Sequence, residues 1–264
     1  MTYPSSSLIA TVYNRPEALE ILLLSLLNQT VLPNEIIIAD DGSGEDIVNL
    51  IEIFKTKISI PIIHVWHTDI GNRKPTILNK SIAKSKYDYI IQIDGDIIMN
   101  KYFIEDHLNF SERGVYLFGS RVNTQKTILE STFKNKTLNF SFFSKGIRRR
   151  GRTIRIPSLM NFAKTINRRS SKLRGCNMSF WKKDFIKING YNENLVEVWR
   201  EDSEMAERLH NSGIMAKRLK FAGIAYHLYH KSQSQTQISI NFEIEKETIL
   251  KKLKFTDKGI NQYL

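Results

Sequence analysis

Apolar runs and amphipathic segments alternate along the first hundred residues. The apolar runs show no polar alternation, which is typical of strands buried on both faces, and leucines recur at helical spacing in residues 15–28. The predicted strands are residues 7–13, 35–39, 62–66 and 89–93, and the helices between them are residues 15–28, 46–54 and 76–85. This order predicts an α/β fold with a Rossmann-like, mostly parallel central sheet and helices on both faces.

The second half of the chain has a weaker pattern. Strands are predicted at residues 115–121 and 175–181, a helix at residues 201–211, a strand and turn at residues 217–229, and a helical tail over residues 241–253. Residues 124–171 are basic, contain interleaved phenylalanines and fit no element. No linker or repeat divides the chain, so we predict one domain.

Polar side chains follow each predicted strand of the first half at its carboxyl end. They are Thr11, Tyr13, Asn14 and Arg15, then Asp40 and Asp41, then His67, Asp69 and Asn72, and finally Asp94 and Asp96. Ligands of open α/β sheets bind outside the carboxyl ends of the strands. The sequence therefore predicts a binding site at this edge.

Two pairs of carboxylates are candidates for chemistry. Asp94 and Asp96 end a predicted strand, where hard oxygen ligands suit Mg²⁺ or Mn²⁺ bridging a diphosphate, although an Asp-Gly turn would explain the same residues. Glu201 and Asp202 open a predicted helix, where acidic residues also stabilise the helix dipole by ~0.3–1 kcal/mol.

The charge of the chain is concentrated in one segment. The protein has 264 residues with 39 Lys and Arg against 27 Asp and Glu, and residues 131–183 contain 15 basic and no acidic residues. Such a segment attracts nucleic acid, an anionic membrane or a phosphorylated substrate, or simply forms a solvated face. Ordinary hydrophobic content, 41%, excludes a disordered chain.

The number of cysteines and the sequence of the N-terminus predict the cellular compartment of the protein. Cys176 is the single cysteine, so there is no internal disulfide, and a reducing compartment is expected. The first eight residues lack the pattern of a signal peptide, and no apolar run reaches the ~20 residues that span a bilayer. We therefore expect a cytoplasmic protein, with peripheral contact at the inner face of the membrane through the basic segment.

Together these motifs resemble the family 2 glycosyltransferases of the GT-A fold. The resemblance is carried by TVYNRP at residues 11–16, EIIIADDGS at 35–43 and YIIQIDGD at 89–96. Residues 174–193 (RGCNMSFWKKDFIKINGYNE), 199–213 (WREDSEMAERLHNSG) and 226–230 (YHLYH) resemble a galactosyltransferase-like C-terminal module. The resemblance implies a nucleotide-sugar-binding half over residues 1–122, an acceptor-binding and catalytic half with a basic insert over 123–230, and a helical tail over 231–264.

The resemblance also implies roles for individual residues. Asp202 would take the proton from the acceptor hydroxyl, and Glu201 would hold a sugar hydroxyl. The metal, Mn²⁺ or Mg²⁺, would be held by Asp96 with Asp94 and by one of His227 and His230. The donor-binding residues would be Thr11, Tyr13, Asn14, Arg15, Asp40, Asp41, Arg73 and Asp94. The acceptor-binding residues would be Gly175, Asn177 and Trp199.

The leading hypothesis is an inverting, metal-dependent glycosyltransferase. Its donor would be a nucleotide sugar, first of all a UDP-sugar, and its acceptor a hydroxyl of a glycan or lipid-linked glycan. The alternative is a nucleic-acid-binding protein that acts through the basic segment, but this alternative leaves the acidic groups at the strand ends unexplained. A sugar nucleotidyltransferase is disfavoured because TVYNRP lacks a glycine-rich phosphate loop.

Overall fold

The structure is a computed structural model that describes residues 3–195, 200–231 and 238–264. The strands are β1 (Ser6–Val12), β2 (Glu35–Asp40), β3 (Ile62–Trp66), β4 (Tyr89–Asp94), β5 (Ile97–Met99), β6 (Val115–Phe118), β7 (Arg121–Thr124), β8 (Ile147–Arg148), β9 (Thr165–Ile166), β10 (Asn177–Trp181), β11 (Met215–Arg218) and β12 (Ala225–His227). The α-helices are α1 (Pro16–Leu27), α2 (Glu45–Lys55), α3 (Lys74–Lys84), α4 (Phe103–Asn109), α5 (Leu129–Lys134), α6 (Lys182–Lys187), α7 (Glu201–Asn211) and α8 (Ile238–Leu250).

A mixed, mostly parallel sheet forms the centre of the described chain. Its order is β3-β2-β1-β4-β10-β6-β11-β9, and β1, β2, β3 and β4 are mutually parallel. β10 runs antiparallel to both β4 and β6. A smaller sheet has the order β5-β12-β7-β8. The predicted α/β architecture is confirmed.

The strand register brings the predicted polar residues to one edge. Thr11 pairs with Asp94 on one side of β1, and Val12 pairs with Asp40 on the other. Because these strands are parallel and in register, the loops that follow β1, β2 and β4 leave the sheet side by side. The central strands therefore deliver the side chains of a site to a common edge.

Helices cover both faces of the parallel strands. α1 buries Leu19, Leu22, Leu23 and Leu26 in one apolar cluster with alternate residues of β1, β2 and β4. α3 buries Ile77, Leu78 and Ile82 against the opposite face. Full burial of one such side chain stabilises the fold by ~1.5–3 kcal/mol, so these two helices fix the sheet edge from which the site is built.

The predicted strand at residues 115–121 is two strands in different sheets. β6 ends at Phe118 and β7 begins at Arg121, with Gly119 and Ser120 between them. A Cβ at Gly119 would lie 2.2 Å from Asn177 Nδ2, so only glycine lets the chain pass this side chain. The break turns the chain into the second sheet and places Arg121 at the site.

Several other elements differ from the sequence prediction. β5 and α4 were not predicted, and the basic region contains α5, β8 and β9. α3 begins at Lys74, two residues earlier than expected, because Pro75 in its first turn needs no hydrogen-bonded N–H. Among the described residues, no helix has the length and apolar character needed to cross a membrane.

Candidate functional site

A cavity of about 630 Å³ opens at the carboxyl ends of β1 and β4. It is lined by Thr11, Val12, Tyr13, Asn14, Arg15, Asp41, Asn72, Lys74, Ile77, Asp94, Gly95, Asp96, Arg121, Asn123, Thr124, His227, Tyr229, His230 and Lys231. Its floor depends on Gly95, where a Cβ would lie 2.6 Å from the Thr11 carbonyl oxygen. Residues from both halves of the chain thus surround one space.

Asp41 forms one wall of the cavity. Its Oδ1 lies 2.6 Å from His67 Nε2, and its Oδ2 accepts a 3.0 Å hydrogen bond from the backbone N–H of Arg73. Burial lowers the pKa of His67, which keeps the imidazole neutral and able to donate an N–H. Nearby, the exposed Tyr13 hydroxyl donates to Asp69 at 2.8 Å. A flat ring beside a fixed carboxylate suits a nucleobase.

Asp40 faces away from the cavity, although its neighbour Asp41 lines it. The Asp40 carboxylate is fully buried, lies 2.8 Å from His64 Nε2 and accepts the backbone N–H of Ser43. It stabilises the loop after β2. Asn14 lines the cavity and also accepts the N–H of Gly44 through its side chain.

Arg73 contributes to this wall through its backbone. Its guanidinium donates to the Thr68 carbonyl at 2.6 Å, and its side chain is not among the residues that line the cavity. The backbone N–H that holds Asp41 is therefore its contact with the predicted donor site.

Lys74 connects the two predicted carboxylate pairs. Its Nζ lies 2.8 Å from Asp94 Oδ1 and 3.3 Å from Glu201 Oε1, and Thr11 Oγ1 also donates to Asp94 at 3.0 Å. Burial alone would lower the pKa of Lys74, but Asp94, Glu201 and Asp202 raise that pKa well above its ordinary value. A permanently charged ammonium therefore holds Asp94 and Glu201 on either side of it.

Asp202 is the group whose ionisation is most relevant to acid–base chemistry. Burial and the adjacent Glu201 raise its pKa to about 6, although Lys74 and the backbone N–H of Gly175 oppose the rise. That N–H donates to Asp202 Oδ2 at 2.7 Å, and a Cβ at Gly175 would crowd the Asp202 side chain at 3.2 Å. A fixed carboxylate with this pKa is ionised at neutral pH and remains basic enough to accept a proton.

Asp96, His227 and His230 form a cluster with the geometry of a metal site. One ligand atom from each lies within 4.8 Å of the others, and Asp96 Oδ1 is buried with no hydrogen-bond partner among the residues that the structure describes. Burial lowers the pKa of His227, which favours the neutral imidazole that a metal requires. Asp94 is outside this cluster and is bound by Lys74 and Thr11 instead. Arg15 donates to Asp96 Oδ2 at 2.9 Å and lies beside the cluster.

The predicted acceptor-binding residues are in three different situations. Gly175 contacts Asp202 as described above. Asn177 is fully buried, where its amide donates to the carbonyls of Ser120 and Gly223, so the structure does not bring this side chain to the site. Trp199 lies outside the described residues.

Two cationic residues of the site were missed in the sequence. Lys74 begins α3 after the loop that follows β3, and Arg121 begins β7 after the short break that follows β6, and both line the cavity. Arg121 NH1 lies 3.6 Å from Cys176 Sγ. Burial raises the pKa of the Cys176 thiol to about 12, so this cysteine is a neutral buried group and not a nucleophile.

Two family models match the chain. The model for glycosyl transferase family 2 matches residues 7–172, and the model described as the N-terminal domain of galactosyltransferase matches residues 157–231. The first match contains β1 to β9 and the Asp94–Asp96 motif. The second contains Asp202 and both histidines of the metal cluster.

Similar proteins are polysaccharide synthases and a GT-A glycosyltransferase. The chain is 27% identical to chondroitin synthase of Pasteurella multocida (strain Pm70) over 92% of its length and 27% of that protein. It is 31% identical to hyaluronan synthase of Pasteurella multocida over 84% of its length and 24% of that protein, so it spans about a quarter of either relative. The crystal structure of GalNAc-T7 with UDP, GalNAc and Mn²⁺ superposes with a TM-score of 0.68 at 13% identity, covering 94% of this chain and 50% of that one.

Proposed function

Because this chain belongs to glycosyl transferase family 2 and has the GT-A fold, we propose that it is an inverting, metal-dependent transferase. It moves a sugar from a UDP-sugar to a hydroxyl of a glycan or lipid-linked glycan. The observation that carries the proposal is a connected set of contacts: Asp41 binds the backbone of Arg73, and the next residue, Lys74, binds both Asp94 and Glu201, the residue before Asp202. This arrangement joins a nucleoside-binding wall to a proton acceptor.

The comparisons support the donor and acceptor classes. GalNAc-T7 holds UDP and Mn²⁺ in its crystal structure, and the sequence relatives carry the names of glycan synthases. In this chain, Tyr13 and Asp41 offer a ring and an acceptor for a uracil base, and Thr11 borders the position of the ribose and diphosphate. These contacts support the assignment of the cavity to the donor.

The side chains of the metal cluster fit Mn²⁺ or Mg²⁺. Asp96 Oδ1, which accepts no hydrogen bond from any residue that the structure describes, offers a hard oxygen, and the two imidazoles offer nitrogen ligands that favour Mn²⁺ over Mg²⁺. A bound divalent ion would neutralise charge on the departing diphosphate. Arg15, which follows β1, forms an ion pair with Asp96 and so supplies a second positive charge beside the metal cluster.

Asp202 acts as the general base in this proposal. It accepts the proton of the acceptor hydroxyl while that oxygen attacks the anomeric carbon and the bond to the diphosphate breaks. The N–H of Gly175 fixes the orientation of the carboxylate, and Lys74 keeps it ionised. In this proposal only Asp202 acts at the reacting carbon, since Asp94 and Glu201 are bound by Lys74. One acting carboxylate corresponds to a single displacement with inversion, because retaining enzymes use a second carboxylate as the nucleophile.

Nucleotide binding tests the donor assignment directly. Thermal shifts are measured with UDP, GDP, CDP and dTDP, each with and without Mn²⁺. We expect UDP to raise the melting temperature only when Mn²⁺ is present, since a ligand at 100 times its dissociation constant stabilises the folded state by ~2.7 kcal/mol. Stabilisation by another nucleotide instead would contradict the UDP assignment, and no stabilisation by any of them would contradict the donor site.

Replacement of Lys74 by methionine tests the link between the two carboxylate pairs. Without the ammonium, Asp94, Glu201 and Asp202 repel one another, so the pKa of Asp202 rises above about 6. We expect kcat to fall about tenfold at pH 7, equivalent to ~1.4 kcal/mol, with partial recovery at higher pH. The matched control is Lys84→Met at the exposed end of the same helix. Equal rates for the two variants at pH 7 would refute this role.

A further inference from the structure

Five arginines lie together beside the candidate base without carboxylate partners. They are Arg121, Arg149, Arg152, Arg174 and Arg218, and we call them the arginine cluster. In the part of the chain that the structure describes, none of them is within ion-pair distance of an acidic group, whereas Arg15, Arg155, Arg169, Arg200 and Arg208 all are.

The members of the arginine cluster lie around Arg152. The backbone N–H of Arg152 donates to the Arg149 carbonyl at 2.9 Å, and its guanidinium donates to the Arg121 carbonyl. Burial lowers the pKa of Arg152, and the positive charges of the other four members lower it further, so each of them lies within electrostatic range of Arg152. Arg121, Arg152 and Arg218 are half-buried, and Arg149 and Arg174 are exposed. Asp94 and Asp96 are near enough to Arg121 to oppose the effect of burial on its pKa, but neither forms an ion pair with it. The positive charges of the cluster otherwise repel one another, so an anion bound among them would relieve that repulsion.

The hydrogen bonds of the cluster leave donor groups unused. Arg152 donates to the Arg121 carbonyl at 2.9 Å, and Arg218 donates to Ser120 Oγ at 2.7 Å. The Nε atoms of Arg121 and Arg218 are buried and have no hydrogen-bond partner within the described parts of the chain. Unpaired buried donors are costly, and a bidentate oxyanion is the ligand that a guanidinium group matches best.

The cluster borders the position that an acceptor must occupy. Arg174 immediately precedes Gly175, whose N–H binds Asp202, and Arg121 contacts Cys176 on the other side of Gly175. Arg121 also lines the donor cavity. The cluster thus extends from the donor cavity past the base, which is the path that an acceptor chain would follow.

Resting on the proposed function, we infer that the acceptor is anionic and that the arginine cluster binds its oxyanion group close to the reacting hydroxyl. The group is a carboxylate or a phosphate, since both present paired oxygens to guanidinium groups. The acid-free segment over residues 131–183 supplies three of the five members, so the basic segment serves a specific contact.

Binding of four fluorescent oligomers by fluorescence polarisation tests this inference. They are a hyaluronan octasaccharide with carboxylates, a glycerol phosphate octamer, neutral maltooctaose and a single-stranded DNA octamer. We expect one of the first two to bind at least tenfold more tightly than maltooctaose and DNA, and which one binds identifies the anion. Equal binding of all three anionic probes would make the cluster a general polyanion surface, and absence of preference over maltooctaose would also overturn the inference.

Single substitutions distinguish the cluster from the general charge of the segment. We expect Arg218→Gln and Arg174→Gln each to weaken binding of the preferred oligomer about tenfold. Arg168→Gln is the matched control, since Arg168 is exposed in the same segment and outside the cluster. Equal losses in all three variants, or an equal loss of UDP affinity in the two cluster variants, would refute the acceptor assignment. The thermal shift that UDP causes in the wild-type protein tests the donor cavity separately. If UDP causes no shift, the proposed function fails, whatever the oligomers show about the arginine cluster.

Discussion

Replacement of Asp202 by asparagine is expected to lower kcat for sugar transfer by about a thousandfold. General base catalysis contributes ~10²–10⁴-fold, and asparagine removes the basic oxygen while it preserves the size of the side chain. The amide oxygen can still accept the N–H of Gly175, so the site keeps its shape. UDP affinity should therefore change less than twofold, which separates loss of the base from loss of the donor cavity.

The pH dependence of the wild-type enzyme identifies the same group. Asp202 must be ionised to accept a proton, and its pKa in the folded protein is raised to about 6. The rate should accordingly fall tenfold per pH unit below about pH 6 and be level above it. This acidic limb should be absent from the residual activity of Asp202→Asn.

Glu207→Gln provides the matched control for this experiment. Glu207 lies on α7 like Asp202 and undergoes the same change of charge, but it is half-buried outside the cavity and its partner is Arg169. We expect this variant to transfer sugar within twofold of the wild-type rate. If Asp202→Asn also remains within a few-fold of wild type, the proton acceptor is a different group.

The central sheet could be predicted well from the sequence, because the apolar runs and helical spacing that mark its elements are local and strong. The bounds of β3 and α7 agree with the prediction, since continuous apolar runs and helical spacing are unambiguous there. The prediction that ligand-binding groups collect at the carboxyl ends of strands placed Asp41 and Asp94 at the cavity correctly. The same rule applied to β3 selected His67, Asp69 and Asn72 and stopped short of Lys74 at the start of α3, and it was not applied to β6, which Arg121 follows.

Neighbouring side chains could not be distinguished by pattern alone. Asp40 and Asp41 are adjacent, and successive side chains of a strand point in opposite directions, so only one of them can face the cavity. The residue that faces the cavity is determined by where β2 ends and by His64 in the adjacent strand, which binds Asp40. Asn177 is a comparable case, since its burial follows from the break at Gly119, which lies 58 positions earlier in the chain.

Contacts between segments that are distant in the sequence could not be predicted from it either. Lys74 meets Asp94 and Glu201, whose positions differ from it by 20 and 127 residues. The arginine cluster gathers residues from β7, β11 and the segment between them. Sequence composition revealed the excess of basic residues, but only the folded chain shows which arginines lack carboxylate partners.

Removal of the metal is expected to have an effect as large as loss of the base. Asp96→Asn should lower transfer by about a thousandfold, equivalent to ~4 kcal/mol, because it removes the one carboxylate among the three clustered ligands. Excess EDTA should abolish wild-type activity, and Mn²⁺ should restore it. Titration of Mn²⁺ in the presence of UDP, followed by electron paramagnetic resonance, measures metal binding without reference to activity.

The histidine variants then separate the contributions of the two imidazoles. His227 is buried at 3.6 Å from Asp96 and His230 is exposed at 3.5 Å, so we expect His227→Ala to weaken Mn²⁺ binding more than His230→Ala does. Asp46→Asn, on the exposed first turn of α2, controls for loss of a surface carboxylate and should bind Mn²⁺ normally. Full activity in EDTA would show that the enzyme transfers sugar without a metal, in which case Arg15 and Arg121 are the cations positioned to neutralise the leaving diphosphate. Wild-type affinity for Mn²⁺ in Asp96→Asn would show instead that other residues bind the metal.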